Sequence, residues 1–122
     1  MIRPLWSWCV LIGCICCASG RADEREDPAK LPSPANPGSF PSSQQDAARA
    51  VAVALRERGE KPGEFHAQVV TEDAGNVLVF HLWHDSALTK QNRQAPGNPG
   101  GKCRDAYYDR RKKQVAKMLF WQ

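Results

Sequence analysis

The chain has 122 residues, 42% of them hydrophobic and 25% charged, with a formal net charge of +4. That length leaves room for one small domain and little for a deep catalytic cleft, because a domain of about 80 residues buries only roughly 60% of its unfolded surface. Four of the five cysteines, Cys9, Cys14, Cys16 and Cys17, fall in the apolar amino end, so Cys103 stands alone in the remainder and no disulfide framework exists.

The amino end reads as an address. Arg3, an apolar stretch from Leu5 to Ala18 and the charged run Arg21 to Asp27 form the three-part pattern of a secretory signal spanning residues 1–22. The stretch has 14 residues, short of the about 20 that a spanning helix needs. Leu11-Ile12-Gly13-Cys14 resembles the lipobox of bacterial lipoproteins, which implies acylation of Cys14 and a lipid anchor in the membrane. With Ile15 rather than Asp after the Cys, the resemblance implies sorting to the outer membrane. Cleavage after Ala22 or Ser19 would instead release a soluble periplasmic protein, and retention as an uncleaved anchor is the third alternative.

Residues 23–42 carry Pro28, Pro32, Pro34, Pro37 and Pro41 among Ser, Asn and Gly. Such a composition favours polyproline II and offers little to bury, so the segment is expected to be a disordered tether. The domain then covers residues 43–122. Ser43-Gln44-Gln45-Asp46 predicts a helix start with Ser43 as cap, followed by an Ala-rich run to Arg58 that Gly59 stops. Ala47, Ala48, Val51, Ala54 and Leu55 form a narrow apolar stripe whose small side chains let the helix lie close to a sheet.

Two strands are predicted over Phe65–Thr71 and Val77–His84, joined by a turn in which Gly75 and Asn76 take positive φ. Pairing Glu72 with Val77 fixes the register. It puts Phe65, Ala67, Val69, Leu78, Phe80 and Leu82 on the face under the helix and His66, Gln68, Val70, Val79, His81 and Trp83 on the other. A Pro/Gly loop fills Thr89–Lys102. Two further strands are predicted over Cys103–Asp109 and Gln114–Trp121, joined by the basic turn Arg110, Arg111, Lys112 and Lys113. In the last strand Ala116, Met118 and Phe120 oppose Val115, Leu119 and Trp121, so both faces are apolar, and the strand is expected to be interior to the sheet or covered by a partner.

The fold class is therefore α+β, one N-terminal helix packed on a four-stranded antiparallel sheet. This order, ending in Tyr108-Asp109, a four-residue turn and Val115, resembles the cystatin-like and NTF2-like families of small exported bacterial proteins, among them PepSY repeats and NTF2-fold immunity proteins. Asp109 and Val115 match the late hairpin of PepSY, and Lys113 stands where that pattern has Gly. The segment Gly97 to Arg104 and the ending Leu119-Phe120-Trp121-Gln122 also look like small bacterial lipoproteins. The resemblance carries over no catalytic residue.

Charge is uneven. Residues 22–85 hold six Lys and Arg against eleven Asp and Glu, and residues 86–122 hold nine against two. Export argues against a nucleic-acid partner, as does the lack of aromatics interleaved with the basic residues. The three histidines sit on two faces, His66 and His81 on one and His84 on the other, which opposes a three-His zinc site. Cys103 with a His could serve as nucleophile and base in principle, but no motif surrounds it and no third orienting residue is evident; it is expected to be a buried thiol, with an intermolecular bond or a link to Cys16 or Cys17 as the alternatives. The expected function is non-enzymatic, without cofactor or metal. A protein or peptide partner in the envelope would meet His66, Gln68, His81 and Trp83 on the open sheet face, as in an inhibitor or a toxin-neutralising protein. The alternative is a structural envelope lipoprotein whose basic turn meets anionic lipid or polymer.

Overall fold

A computed structural model describes residues 27–95 and 97–122. The signal, the lipobox and Cys14 lie outside the described residues. Within them, one α-helix, α1 (Gln45–Glu57), precedes four strands: β1 (Phe65–Glu72), β2 (Val77–His84), β3 (Arg104–Asp109) and β4 (Gln114–Phe120). The strands form one antiparallel sheet in the order β1-β2-β3-β4, with α1 on one face.

The helix ends as its sequence requires. Gly59 takes φ 80, its N–H donates to the Arg56 carbonyl, and the Glu60 N–H reaches back to the Leu55 carbonyl at 2.9 Å. This is a Schellman ending, which glycine adopts without strain. The start differs from expectation. Pro41 opens a 3-10 turn over Ser42–Gln44, which leads straight into α1. Ser43 therefore lies inside that turn, Gln44 takes the cap position, and neither side chain makes a capping bond.

Glu72 pairs with Val77, and the register from that point places Phe65, Ala67, Leu78, Phe80 and Leu82 in the core with Ala47, Ala48, Val51 and Leu55 of α1. Val69 packs against the same cluster. The turn that sets this register uses Asp73 (φ 52), Ala74 (φ 55) and Gly75 (φ 88), whereas Asn76 has φ −77. Asn76 is held right-handed because its N–H donates to the Asp73 carbonyl and its own carbonyl accepts the Arg110 N–H. The left-handed residues consequently lie upstream of it.

The Pro-rich segment is not a free tether over its described part. Phe40 is 3% exposed and belongs to the core, and Pro34 is fully buried. The Pro32 carbonyl accepts the Ala67 N–H at 2.8 Å, so the segment runs along the outer edge of β1, and Ser33 Oγ donates to the Pro62 carbonyl at 2.9 Å. Proline cannot donate to a sheet, but its carbonyl can accept, which lets such a segment close an edge from outside.

Nor is β4 interior to the sheet, since it pairs with β3 alone and forms the far edge. A bulge breaks its alternation. Tyr107 pairs with Lys117 and Tyr108 with Val115, so Ala116 is the extra residue and Val115 turns to the helix face beside Met118. Leu119 remains on the opposite face, where the two-residue period predicted it, directly across from Asp105.

Candidate functional site: the open face and its tryptophan cavity

The face of the sheet away from α1 presents residues from three strands. Trp83 stands opposite His66, and His81 opposite Gln68 on one side and Asp105 on the other. These positions follow from the alternation of β1, β2 and β3, and they bring together the residues singled out in the sequence. Their bonding separates them into different roles.

His66 has both ring nitrogens occupied, with the Leu31 carbonyl 3.2 Å from Nδ1 and Asp85 Oδ1 2.7 Å from Nε2. It ties the Pro-rich segment to the start of the 3-10 turn Asp85–Leu88 and is not available to a partner. His81 donates from Nδ1 to Asp105 Oδ1 at 2.7 Å, because a carboxylate can only accept. The bond sets the ring and leaves Nε2 without a partner among the described residues. Gln68 beside it is exposed and makes no side-chain hydrogen bond among the described residues. Between them His81 and Gln68 offer an oriented imidazole and an amide on this face.

Trp83 is half-buried at the end of this face. Its ring meets that of Trp121 edge to face, with centroids 5.2 Å apart and planes at 89°. Trp121 donates from Nε1 to the same Asp105 oxygen that holds His81, at 2.7 Å. One carboxylate thus orients both an imidazole and an indole. The two tryptophans line a cavity of about 330 Å³ with Pro28, Leu88, Arg93, Pro99 and Cys103. At its rim Arg93 Nη2 lies 2.9 Å from Asp27 Oδ1, and the Ala29 N–H together with the Arg93 charge holds the Asp27 carboxyl below its usual pKa. Trp83 borders the open face and also lines the cavity beneath the Pro/Gly loop.

The loop that roofs the cavity is pinned by Asn98. Its Nδ2 donates to the carbonyls of Cys103 and Trp121, and its Oδ1 accepts the Cys103 N–H. Gly100 has φ 88, and a Cβ there would lie 2.5 Å from Ser86 Oγ, so the close approach of the loop to Ser86 requires glycine.

Cys103 is 1% exposed, and its thiol accepts the His84 N–H at 3.4 Å. Burial pushes its pKa up, which keeps it protonated and a poor nucleophile. His84 forms a chain with Ser86 Oγ, 2.9 Å from Nδ1, and Glu64 Oε1, 3.1 Å from Nε2. The composition is that of a nucleophile, base and acid, but Nδ1 also accepts the Ser86 N–H at 3.0 Å, and Gly100 packs against the hydroxyl. The imidazole thereby caps the turn that begins at Asp85. Among the described residues no group of three or more His, Cys, Asp or Glu side chains could hold a metal ion, and no helix is long and apolar enough to cross a membrane.

The basic turn is not uniform either. The backbone N–H of Arg110 donates to the Asn76 carbonyl, and its guanidinium donates to the carbonyls of Gly75 and Ser43. Arg110 therefore fastens the β3–β4 hairpin to the β1–β2 turn and the approach to α1. Asp109 Oδ1 accepts the N–H groups of Arg111 and Lys112, and Lys113 takes φ 55. Arg111, Lys112 and Lys113 are exposed.

Sequence reasoning did not bring Asp105, Trp121, Arg93 and Asp27 into the site. The last-strand alternation did place Trp121 on the face opposite Phe120, and this was the usable signal. Nothing local marks the Asp27–Arg93 pair, which joins segments 66 residues apart. Comparison with known protein families, with curated proteins and with solved structures gives no match to this chain.

Proposed function

We propose that this is a non-enzymatic protein of the bacterial envelope that captures a protein or peptide partner on the open face of its sheet. The observation that carries the reading is the cavity of about 330 Å³ at the end of that face, lined by Trp83 and Trp121. Paired tryptophans beside the oriented imidazole of His81 and the amide of Gln68 supply what interface hot spots use, a large apolar anchor with a few oriented polar groups. Partner contact falls to Gln68, His81 and Trp83, with Trp121 added and His66 withdrawn into a supporting role.

A cystatin-like or NTF2-like fold is supported by the order of one helix and then four antiparallel strands. The positive φ of Lys113, at the place where the PepSY hairpin has Gly, adds to it. With that fold comes an inhibitor-like or toxin-neutralising role. Lipid anchoring through Cys14 fits the docked Pro-rich segment. Only residues 15–26 then separate the lipid from the domain, which extended chain can span by at most about 45 Å, so the domain works close to the membrane.

Affinity capture from envelope extract tests the reading. A partner retained by the wild-type protein and lost with Trp83→Ala supports it. A partner retained equally by Trp83→Ala but released by salt would favour the basic turn and the structural alternative.

A further inference from the structure

The two edges of the sheet are treated differently. The outer edge of β1 is met by the chain itself at its start, through the Pro32 carbonyl on the Ala67 N–H and the His66 tie to Leu31. The edge at β4 pairs with nothing beyond β3 among the described residues.

That edge is suited to pairing. The Trp121 N–H donates to the Cys103 carbonyl at 3.0 Å, and in an antiparallel ladder inward-bonded residues alternate. Leu119 therefore turns its N–H toward β3, and Met118 and Phe120 turn theirs away from the sheet. Leu119 is 48% exposed and Phe120 55%, one on each face. Protected edges carry Pro, Lys, a bulge or an inward charge, and the one charge on this stretch, Lys117, lies with its Nζ 4.6 Å from the centre of the Tyr107 ring, on the face of the sheet rather than across its edge. Here the bulge at Ala116 lies toward the basic turn, which leaves the stretch from Lys117 to Phe120 regular and without Pro.

Charge selects the occupant. Residues 110–122 hold Arg110, Arg111, Lys112, Lys113 and Lys117 and no Asp or Glu. Arg110 is spent on carbonyls, so four cations remain along the edge and the turn that leads into it. A second copy of the same edge would bring these cations no Asp or Glu in return, whereas an acidic segment would pair with them. We propose that β4 is a docking edge for an extended segment of another protein, acidic where it passes Lys113 and Lys117 and apolar where it meets Leu119 and Phe120, which adds as a fifth strand. This surface is separate from the tryptophan cavity, and it stands or falls independently of the function proposed for that cavity.

The test uses a short end-blocked peptide of alternating Glu and Val, a Lys and Val peptide as control, and residue-resolved amide hydrogen exchange. The Glu peptide should slow exchange at Met118 and Phe120 by about tenfold or more, weaken with salt, and do the same with Trp83→Ala. The double variant Lys113→Glu, Lys117→Glu should lose this effect and gain it with the Lys peptide, with its melting temperature checking that it folds. Several results would overturn the proposal: no protection of β4, protection centred on Trp83 instead, or equal protection by both peptides. So would protection that rises with protein concentration alone, which means a second copy, or protection by anionic phospholipid vesicles and not by the peptide.

Discussion

The ring of Phe40 lies 5.8 Å from that of Phe80 at an interplanar angle of 52°, which joins the Pro-rich segment to the centre of the sheet. Phe80 is fully buried and Phe40 nearly so. The segment is thus part of the domain, and removing its anchor should cost what a core aromatic costs. Phe40→Ala is expected to destabilise the protein by about 3–5 kcal/mol, read by urea denaturation. A loss below about 1 kcal/mol, typical of a surface substitution, would mean that the segment only lies against the domain.

Lys113 occupies the left-handed region at φ 55, a conformation that costs a non-glycine residue roughly 1–2 kcal/mol. Lys113→Gly should therefore stabilise the protein by about 1 kcal/mol, seen as a rise in melting temperature. A fall would show that the lysine side chain holds the hairpin by contacts worth more than the backbone strain.

Glu60 and Arg104 form the ion pair through which acid should act. Arg104 is 1% exposed and held between the rings of Phe65 and Phe120, 5.2 and 4.2 Å from its Cζ, with Glu60 Oε2 3.0 Å from Nη2. Burial works to raise the Glu60 pKa, but the hydrogen bond and charge of Arg104, helped by Lys102, hold it below the usual carboxylate value. A depressed folded-state pKa gives stability that is present above the unfolded value and lost as pH falls through the folded one. Stability should decline below about pH 4, and Glu60→Gln should be less stable at neutral pH with a flatter profile on the acid side. An unchanged acid profile in that variant would assign the acid sensitivity to another carboxylate, Asp27 first.

Cys103 should react with a thiol reagent only after denaturant is added, because it is buried and its pKa is raised. Fast labelling of the native protein, or a dimer that vanishes under reducing conditions, would contradict this and point to the intermolecular bond.

The period-two alternation of Phe65 to Thr71 and Val77 to His84, together with the Glu72–Val77 pairing, made the helix face and the open face legible in the sequence. That much is local chemistry. Phe40 was hidden because five prolines around it read as a segment with nothing to bury, while a single aromatic among them is enough to dock the chain. The bulge at Ala116 was hidden because strand pattern alone carries no information about partner count. His81 and Trp83 were placed correctly on the open face. The shared carboxylate of Asp105, which binds His81 and Trp121 together, depends on the β2–β3 and β3–β4 registers, and these follow a Pro/Gly loop that local signals do not fix.

The most direct measurement is the dissociation constant of the captured envelope partner for Trp83→Ala, taken with the melting temperature of the same variant. The edge-to-face pair with Trp121 is worth about 0.5–1.5 kcal/mol beyond the area that half-buried Trp83 covers, so the variant should still fold and melt several degrees below the wild type. Loss of an anchoring tryptophan costs about 2 kcal/mol or more of binding, so the dissociation constant should rise by about 30-fold or more. A variant that folds and binds the partner with unchanged affinity would contradict capture at the open face, and one that unfolds would show Trp83 to be a core residue.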